Sequence, residues 1–299
     1  MRYYSFNTYL QQRHGVRVHR LSLNAGFGCP NKDGTISGEG CVFCNERAFS
    51  RFSDDPPPLE EQITKSMESA GKRYGARKFI AYFQSGSNTY AAPGELKAAY
   101  NIIRKFKDIV GLYISTRPDC IDDEKLEMIG SFTEDYEVWV EYGVQTVHEK
   151  TLKAVNRGHT FDLAEKAIND TARKGIKVGA HLIIGLPGEE ESDMLATIKV
   201  ISGLPVSGVK FHVLHVLKDT PLESAFLEGR IKLLDKDGYI DIICKILGHL
   251  PKDCVVLRLV SDARSDLLVA PQWVLEKQRV ILQIEEKLKE LDLFQGKFV

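Results

Sequence analysis

The chain has 299 residues, 43% of them apolar and 27% charged, with a formal net charge of −1. That length buries one large core, or a core plus an appendage, and near-neutrality excludes a global charge signature for nucleic acid or anionic membrane. No run nears the roughly 20 apolar residues of a bilayer span, and six cysteines over this length make no disulfide scaffold. The start, Met1-Arg-Tyr-Tyr-Ser-Phe-Asn, lacks the apolar core of a signal peptide, so a cytoplasmic protein with no membrane partner is expected.

Along the chain, β-branched and aromatic runs predict strands over 16–23, 78–84, 109–115, 136–142, 176–185 and 208–215. Helical patterns fill the gaps near 58–74, 94–106, 122–131, 161–174 and 189–202, the last opening on a glutamate-rich turn that suits a helix N-terminus. After the first strand the spacing is that of one βα unit. Six units imply a parallel sheet, which right-handed crossovers curl toward a partial (β/α)6 TIM-like barrel. A doubly wound open sheet has the same spacing. In both, the chemistry belongs at the C-terminal ends of the strands.

Beyond Pro221 the rhythm fades. Residues 222–250 read as helical and 254–260 as a further strand. Over 272–291, Leu275, Ile281 or Leu282, Ile284, Leu288 and Leu291 recur at near-helical spacing. The expected organisation is a core over 1–221 with its cysteine loop, and an α-rich C-terminal extension over 222–299 that packs on the barrel.

After strand one comes Gly26-Phe-Gly-Cys-Pro-Asn-Lys-Asp-Gly-Thr, closing with Cys41-Val-Phe-Cys44. Thiolates this close in a loop are metal ligands more often than packing residues. A closed structural zinc or iron–sulfur site takes four protein ligands, so Cys29, Cys41 and Cys44 leave one position open. The bland alternative is a zinc knuckle completed by His14 or His19, although neither shows paired metal spacing. Cys120, Cys244 and Cys254 are scattered and read as core thiols.

Several stretches accompany the loop: Tyr82-Phe-Gln-Ser-Gly-Ser-Asn-Thr-Tyr90, Ser115-Thr-Arg-Pro-Asp-Cys120, Trp139-Val-Glu-Tyr-Gly-Val-Gln-Thr146, Asn156-Arg-Gly-His159, His181-Leu-Ile-Ile-Gly-Leu-Pro187 and Lys210-Phe-His-Val-Leu-His215. With Cys-x11-Cys-x2-Cys and Phe43 before the last cysteine, the chain resembles the radical SAM superfamily. Within it the likeness is to the YhcC/YtqA branch, relatives of the Elongator catalytic subunit.

The resemblance implies that Cys29, Cys41 and Cys44 hold a [4Fe–4S] cluster whose open iron is chelated by S-adenosyl-L-methionine (SAM). An external donor of the flavodoxin or ferredoxin type would supply the electron that cleaves SAM to a 5′-deoxyadenosyl radical. It also implies cofactor contacts. Phe43 would stack on adenine, Gln84 and Ser85 would meet the SAM ammonium, and Arg117, with Ser115 beside it, would pair with the carboxylate. Glu141 would hold ribose hydroxyls or a cation, since a carboxylate in an apolar strand is costly unless paired. Gln145 brackets the same strand, and Gly185 ends the adenine-binding stretch.

Strand alternation sends His212 and His215 to opposite faces, so at most one enters the barrel. Lys210 shares the face of His212, and these two are the expected substrate-facing catalytic pair. Relatives near this branch act on the wobble uridine of tRNA, so a tRNA uridine is the expected substrate, with His14, Arg17, Arg20, Lys72, Arg73, Arg77 and Lys78 as a candidate basic patch. Two other classes stay open: a radical SAM enzyme acting on a small metabolite or protein side chain, and a non-catalytic iron–sulfur or zinc protein.

Overall fold

A computed structural model describes residues 1–48, 56–84 and 86–299. The first six strands of its main sheet are β1 (Val18–Leu23), β2 (Lys78–Phe83), β3 (Ile109–Thr116), β4 (Glu137–Gln145), β5 (Lys177–Ile184) and β6 (Gly208–Val213). The helices from the N-terminus through the sixth strand are α1 (Phe6–His14), α2 (Leu59–Tyr74), α3 (Pro93–Asn101), α4 (Asp123–Gly130), α5 (Glu149–Ala154), α6 (Phe161–Arg173) and α7 (Glu191–Ser202). Then come β7 (Val216–Leu217), α8 (Pro221–Leu227), α9 (Lys236–Gly248), β8 (Val255–Arg258), β9 (Leu268–Ala270) and α10 (Lys277–Glu290).

The main sheet runs β1-β2-β3-β4-β5-β6-β8, all parallel, and β7 pairs antiparallel with β9. Strand order follows chain order without reversal. A doubly wound sheet reverses at a switch point, so the order identifies the partial barrel. Residues 222–299, expected to pack on the barrel, also supply its seventh strand through β8.

The strands are buried on both faces, as parallel sheets require. Their outward side chains, such as Leu112, Val140, Tyr142 and Val178, join the helices in the main core. Their inward ones, Ile80, Tyr82, Tyr113 and Trp139, form a second cluster with Tyr9 and Leu10 of α1. α1 thus plugs the barrel bottom. Ser5 caps it by accepting the Thr8 N–H at 3.1 Å, and Gly15 ends it in the left-handed region. Tyr4 and Ser5 run beside Val256 of β8, so the N-terminal segment spans the gap between the two sheet edges.

α1 and α5 were not expected from sequence. Only Tyr9 and Leu10 of α1 are buried, too few to write a helical stripe, and α5 is six residues long. The predicted helical stretch 222–250 is two helices, separated at Gly229.

Candidate active site

The barrel opens at the C-terminal ends of its strands into a cavity of about 1530 Å³. That exceeds the roughly 300–1,000 Å³ of a drug-sized ligand pocket, so it has room for more than one bound molecule. The loop after β1 forms one wall, and Cys29, Cys41 and Cys44 all line it. None forms a disulfide.

The loop is held from outside its own sequence. The segment after α5 grips it: the Val42 N–H donates to Val155 O at 3.1 Å, and Asn156 Nδ2 donates to Gly40 O at 2.7 Å. Asn31 Nδ2 returns a bond to Asn156 O at 2.7 Å and lies 3.5 Å from Cys41 Sγ. Arg157 Nη1 donates to the same sulfur at 3.5 Å, while its Nη2 is anchored on Gly143 O at 2.7 Å. Two N–H donors, one cationic, therefore face one sulfur, an arrangement suited to tuning a metal bound to it. Neither residue was anticipated. The motif Asn156-Arg-Gly-His159 was visible, but nothing local said what it would touch.

The end of β2 braces the loop as well. Ser87 N–H donates to Gly28 O at 2.9 Å. Gly86 has φ +69°, and a Cβ there would come within 2.2 Å of Phe27 O. Gly86→Ala is expected to destabilise the fold by about 1–3 kcal/mol and to loosen the loop. The checks are a lower melting temperature and faster iodoacetamide labelling of Cys29 in the native protein; unchanged labelling would mean that Gly86 does not set the loop.

Of the other expected site residues, Phe43, Gln84, Ser115, Arg117 and Gln145 line the cavity. Phe43 also packs on the cluster of Val155, Ile183 and Leu186. Arg117 is engaged twice, bidentate with Asp119 at 2.9 and 2.8 Å and to Arg157 O at 2.9 Å, which leaves Nη1 buried without a partner. Burial works against its charge, but Asp119 and the nearby Cys29 and Cys41 raise its pKa. Ser85 lies outside the described residues. Gly185 does not reach the cavity: its open side, at φ +85°, faces Leu234, 3.0 Å from where a Cβ would stand.

The zinc-knuckle alternative loses its histidines. His14 ends α1, where burial lowers its pKa against the pull of Glu137, which begins β4 at the barrel end opposite the cysteines. His19 stacks on Tyr74, the last residue of α2, with ring centroids 4.8 Å apart. Among the described residues no three His, Cys, Asp or Glu side chains gather to hold one metal ion. A mononuclear zinc needs its ligands within about 2.3 Å, whereas a cluster takes one thiolate per iron.

Below the cysteines lies a polar layer. Glu141, fully buried, accepts from Tyr82 Oη at 2.8 Å and from Lys210 Nζ at 3.2 Å, with His181 Nε2 at 2.6 Å and Arg20 Nη1 at 3.6 Å. The expected pairing of this carboxylate is met by protein side chains, and Glu141 does not reach the cavity wall. Burial opposes its charge, but Lys210, His181 and Arg20 outweigh it and hold the carboxyl well below the usual range. Lys210 is 2% exposed. Burial, reinforced by Arg258 and Arg20, brings its ammonium down to about 7 despite Glu141. Burial and the charge of Lys210 bring His181 to about 4, so its ring is neutral.

Lys210 and His212 both line the cavity, as strand alternation predicts. So does His215, against expectation. β6 ends at Val213, so alternation no longer governs residue 215. Of the expected basic patch, Arg17, Arg73 and Arg77 stay together, the Arg77 N–H donating to Arg17 O at 3.1 Å, but Arg20 leaves it. Arg20 lines the cavity. Arg17 and Arg73 stack on Tyr74, and Lys78 begins β2 paired with Asp108 at 3.0 Å, at the barrel end away from the cavity.

Comparison with known proteins agrees with this architecture. Residues 23–201 match the radical SAM superfamily, and 206–290 match the radical SAM C-terminal domain. The chain is 34% identical over 298 residues to the uncharacterized protein YtqA of Bacillus subtilis (strain 168), covering 99% of this chain and 92% of that one. It is 28% identical over 163 residues to the tRNA uridine(34) acetyltransferase of Methanocaldococcus jannaschii, covering 54% of this chain and 30% of the relative. The fold superposes on Methanocaldococcus infernus Elp3 (residues 1–46 deleted) with a TM-score of 0.66 at 19% identity, over 93% of this chain and 64% of the other.

Proposed function

The chain belongs to the radical SAM superfamily, and on that premise we propose that it is a cluster-dependent enzyme whose substrate is a tRNA uridine. Cys29, Cys41 and Cys44 hold a [4Fe–4S] cluster at the barrel mouth, and SAM binds beside it in the same cavity. When bound, the cluster and SAM would supply one-electron reductive cleavage of the sulfonium and with it radical hydrogen-atom abstraction. The observation that carries this reading is the meeting of three undisulfided thiols, with N–H donors aimed at Cys41, over one deep cavity.

The chain's own groups suit those tasks. Phe43 presents a flat apolar wall for adenine, and Gln84, Ser115 and Gln145 supply polar groups at the strand ends. The unpartnered Arg117 Nη1 is available to a carboxylate. Lys210 and His212 face the substrate from β6, and the plugged bottom keeps water from entering behind it. An external flavodoxin- or ferredoxin-type protein delivers the electron.

Two observations support RNA as the substrate: the similarity to the tRNA uridine(34) acetyltransferase, and the exposed Arg47 on the cavity rim, whose charge suits a phosphate. Anaerobic reconstitution with SAM and reductant should yield 5′-deoxyadenosine. Deleting the gene should remove one modified uridine from bulk tRNA digests. Unchanged nucleoside profiles would refute the substrate, and an intact cluster without 5′-deoxyadenosine would refute the enzyme.

A further inference from the structure

We propose that the cavity floor, formed by Arg20, Lys210 and Arg258, binds the anionic group of a small co-substrate, a carboxylate or a phosphate. This rests on the enzymatic reading above and adds to it a second molecule, since a nucleobase carries no such charge. The three cations come from β1, β6 and β8, distant in sequence, and all line the cavity.

Negative charge on the floor is in deficit. Glu141 is shared by Arg20 at 3.6 Å and Lys210 at 3.2 Å. Asp262 is shared by Arg258 at 3.0 Å and Lys277 at 2.6 Å. Four cations therefore meet two carboxylates. The remaining groups add no anion. Burial, with Arg258, His181 and Lys210 behind it, keeps His212 neutral, and burial with the charge of Glu141 keeps the Tyr82 phenol protonated. Partly buried positive charge in excess of its counter-charge is costly, and an anionic ligand lowers that cost.

The donors are arranged for such a ligand. The Arg20 guanidinium is held over the rings of Phe6 and Tyr82, 4.6 and 5.1 Å from their centroids. Its Nη1 has no hydrogen-bond partner in the protein, and neither has His212 Nε2. Lys210 spends two of its three N–H bonds, on Tyr82 Oη at 2.5 Å and on Glu141. A planar guanidinium and a free ammonium N–H suit the oxygens of a carboxylate or phosphate. Anchored on the floor, the ligand's other end is directed toward the cysteine loop.

The test uses the reconstituted holoenzyme, titrated calorimetrically at about pH 6.5 with inorganic phosphate and, separately, with malonate. One anion should bind per chain, and the tighter probe identifies the group. Arg20→Gln and Arg258→Gln should each weaken binding by about tenfold or more, with folding verified by circular dichroism. Lys65→Gln, which removes an exposed cation on α2, should change nothing. At about pH 8.5 wild-type binding should weaken as Lys210, surrounded by Arg20, Tyr82, Glu141, His181, His212 and Arg258, sheds its proton; Lys210→Met should lose that pH dependence.

Absence of saturable binding to the folded wild type, or unchanged affinity in both arginine variants, overturns the proposal. A parallel tenfold loss of SAM affinity in those variants also overturns it, because the cations would then belong to the SAM site. SAM cleavage is assayed on the same preparations. Anion binding without cleavage counts against the enzymatic reading alone, and cleavage without anion binding counts against the floor alone.

Discussion

Cys44→Ala, like Cys29→Ala and Cys41→Ala, is expected to lose its iron and to lower 5′-deoxyadenosine formation by more than about 100-fold, since even outer-shell partners of metal ligands cost about 10–100-fold. Each thiol lines the cavity, and the proposed cluster has no fourth protein ligand to replace a missing one. Cys244→Ala and Cys254→Ala should keep the chromophore and full iron content. Both thiols are buried in the core and pushed up to about 12 by burial, so they stay protonated. Iron per chain and 5′-deoxyadenosine yield, measured side by side, check the assignment. Full turnover by the Cys44→Ala protein would overturn it.

Glu141→Ala is expected to cost roughly 3–5 kcal/mol, as breaking a buried ion pair does, and to lower the melting temperature on the order of 10 °C. The loss leaves the Lys210 ammonium, 2% exposed, without a carboxylate and with Arg20 and Arg258 nearby. The deficit should also depend on pH. The folded pKa of Lys210 is lowered to about 7, below its unfolded value near 10.4. Glu141 itself raises that pKa, so without it the folded protein sheds the proton at lower pH than the wild type does. The variant therefore recovers stability first as pH rises. The gap between wild type and Glu141→Ala should narrow as pH approaches about 7 from below and stay constant above it. A gap independent of pH would mean that Lys210 is not the group stranded.

The cysteine loop was readable because its chemistry is local: three thiols and several glycines within 19 residues. The strands were readable too, since runs such as Val138-Trp-Val-Glu-Tyr142 have no other place than a buried sheet. Even Glu141 announced that it needed a partner. Which partner was not readable. Tyr82, His181 and Lys210 reach it from three other strands, 59, 40 and 69 residues away.

The misplacements have equally specific causes. Gly185 read as a ligand-facing glycine, but Leu234 of the C-terminal part occupies the space beside it. His215 was sent to the outer face by an alternation that stops at Val213. Arg20 was counted with surface cations because a lone arginine in a short strand has no mark of its facing until the register with β2 is known.

By itself, then, the sequence determined the barrel rhythm, the three-cysteine loop after strand one and the inward face of β6, because spacing and two-residue alternation are properties of the chain alone. The tertiary structure alone decided the neighbours: Arg157 on Cys41 across 116 residues, and Arg20, Lys210 and Arg258 on one floor. Those meetings depend on how strands align and how the barrel curls, and that alignment is set by packing between elements.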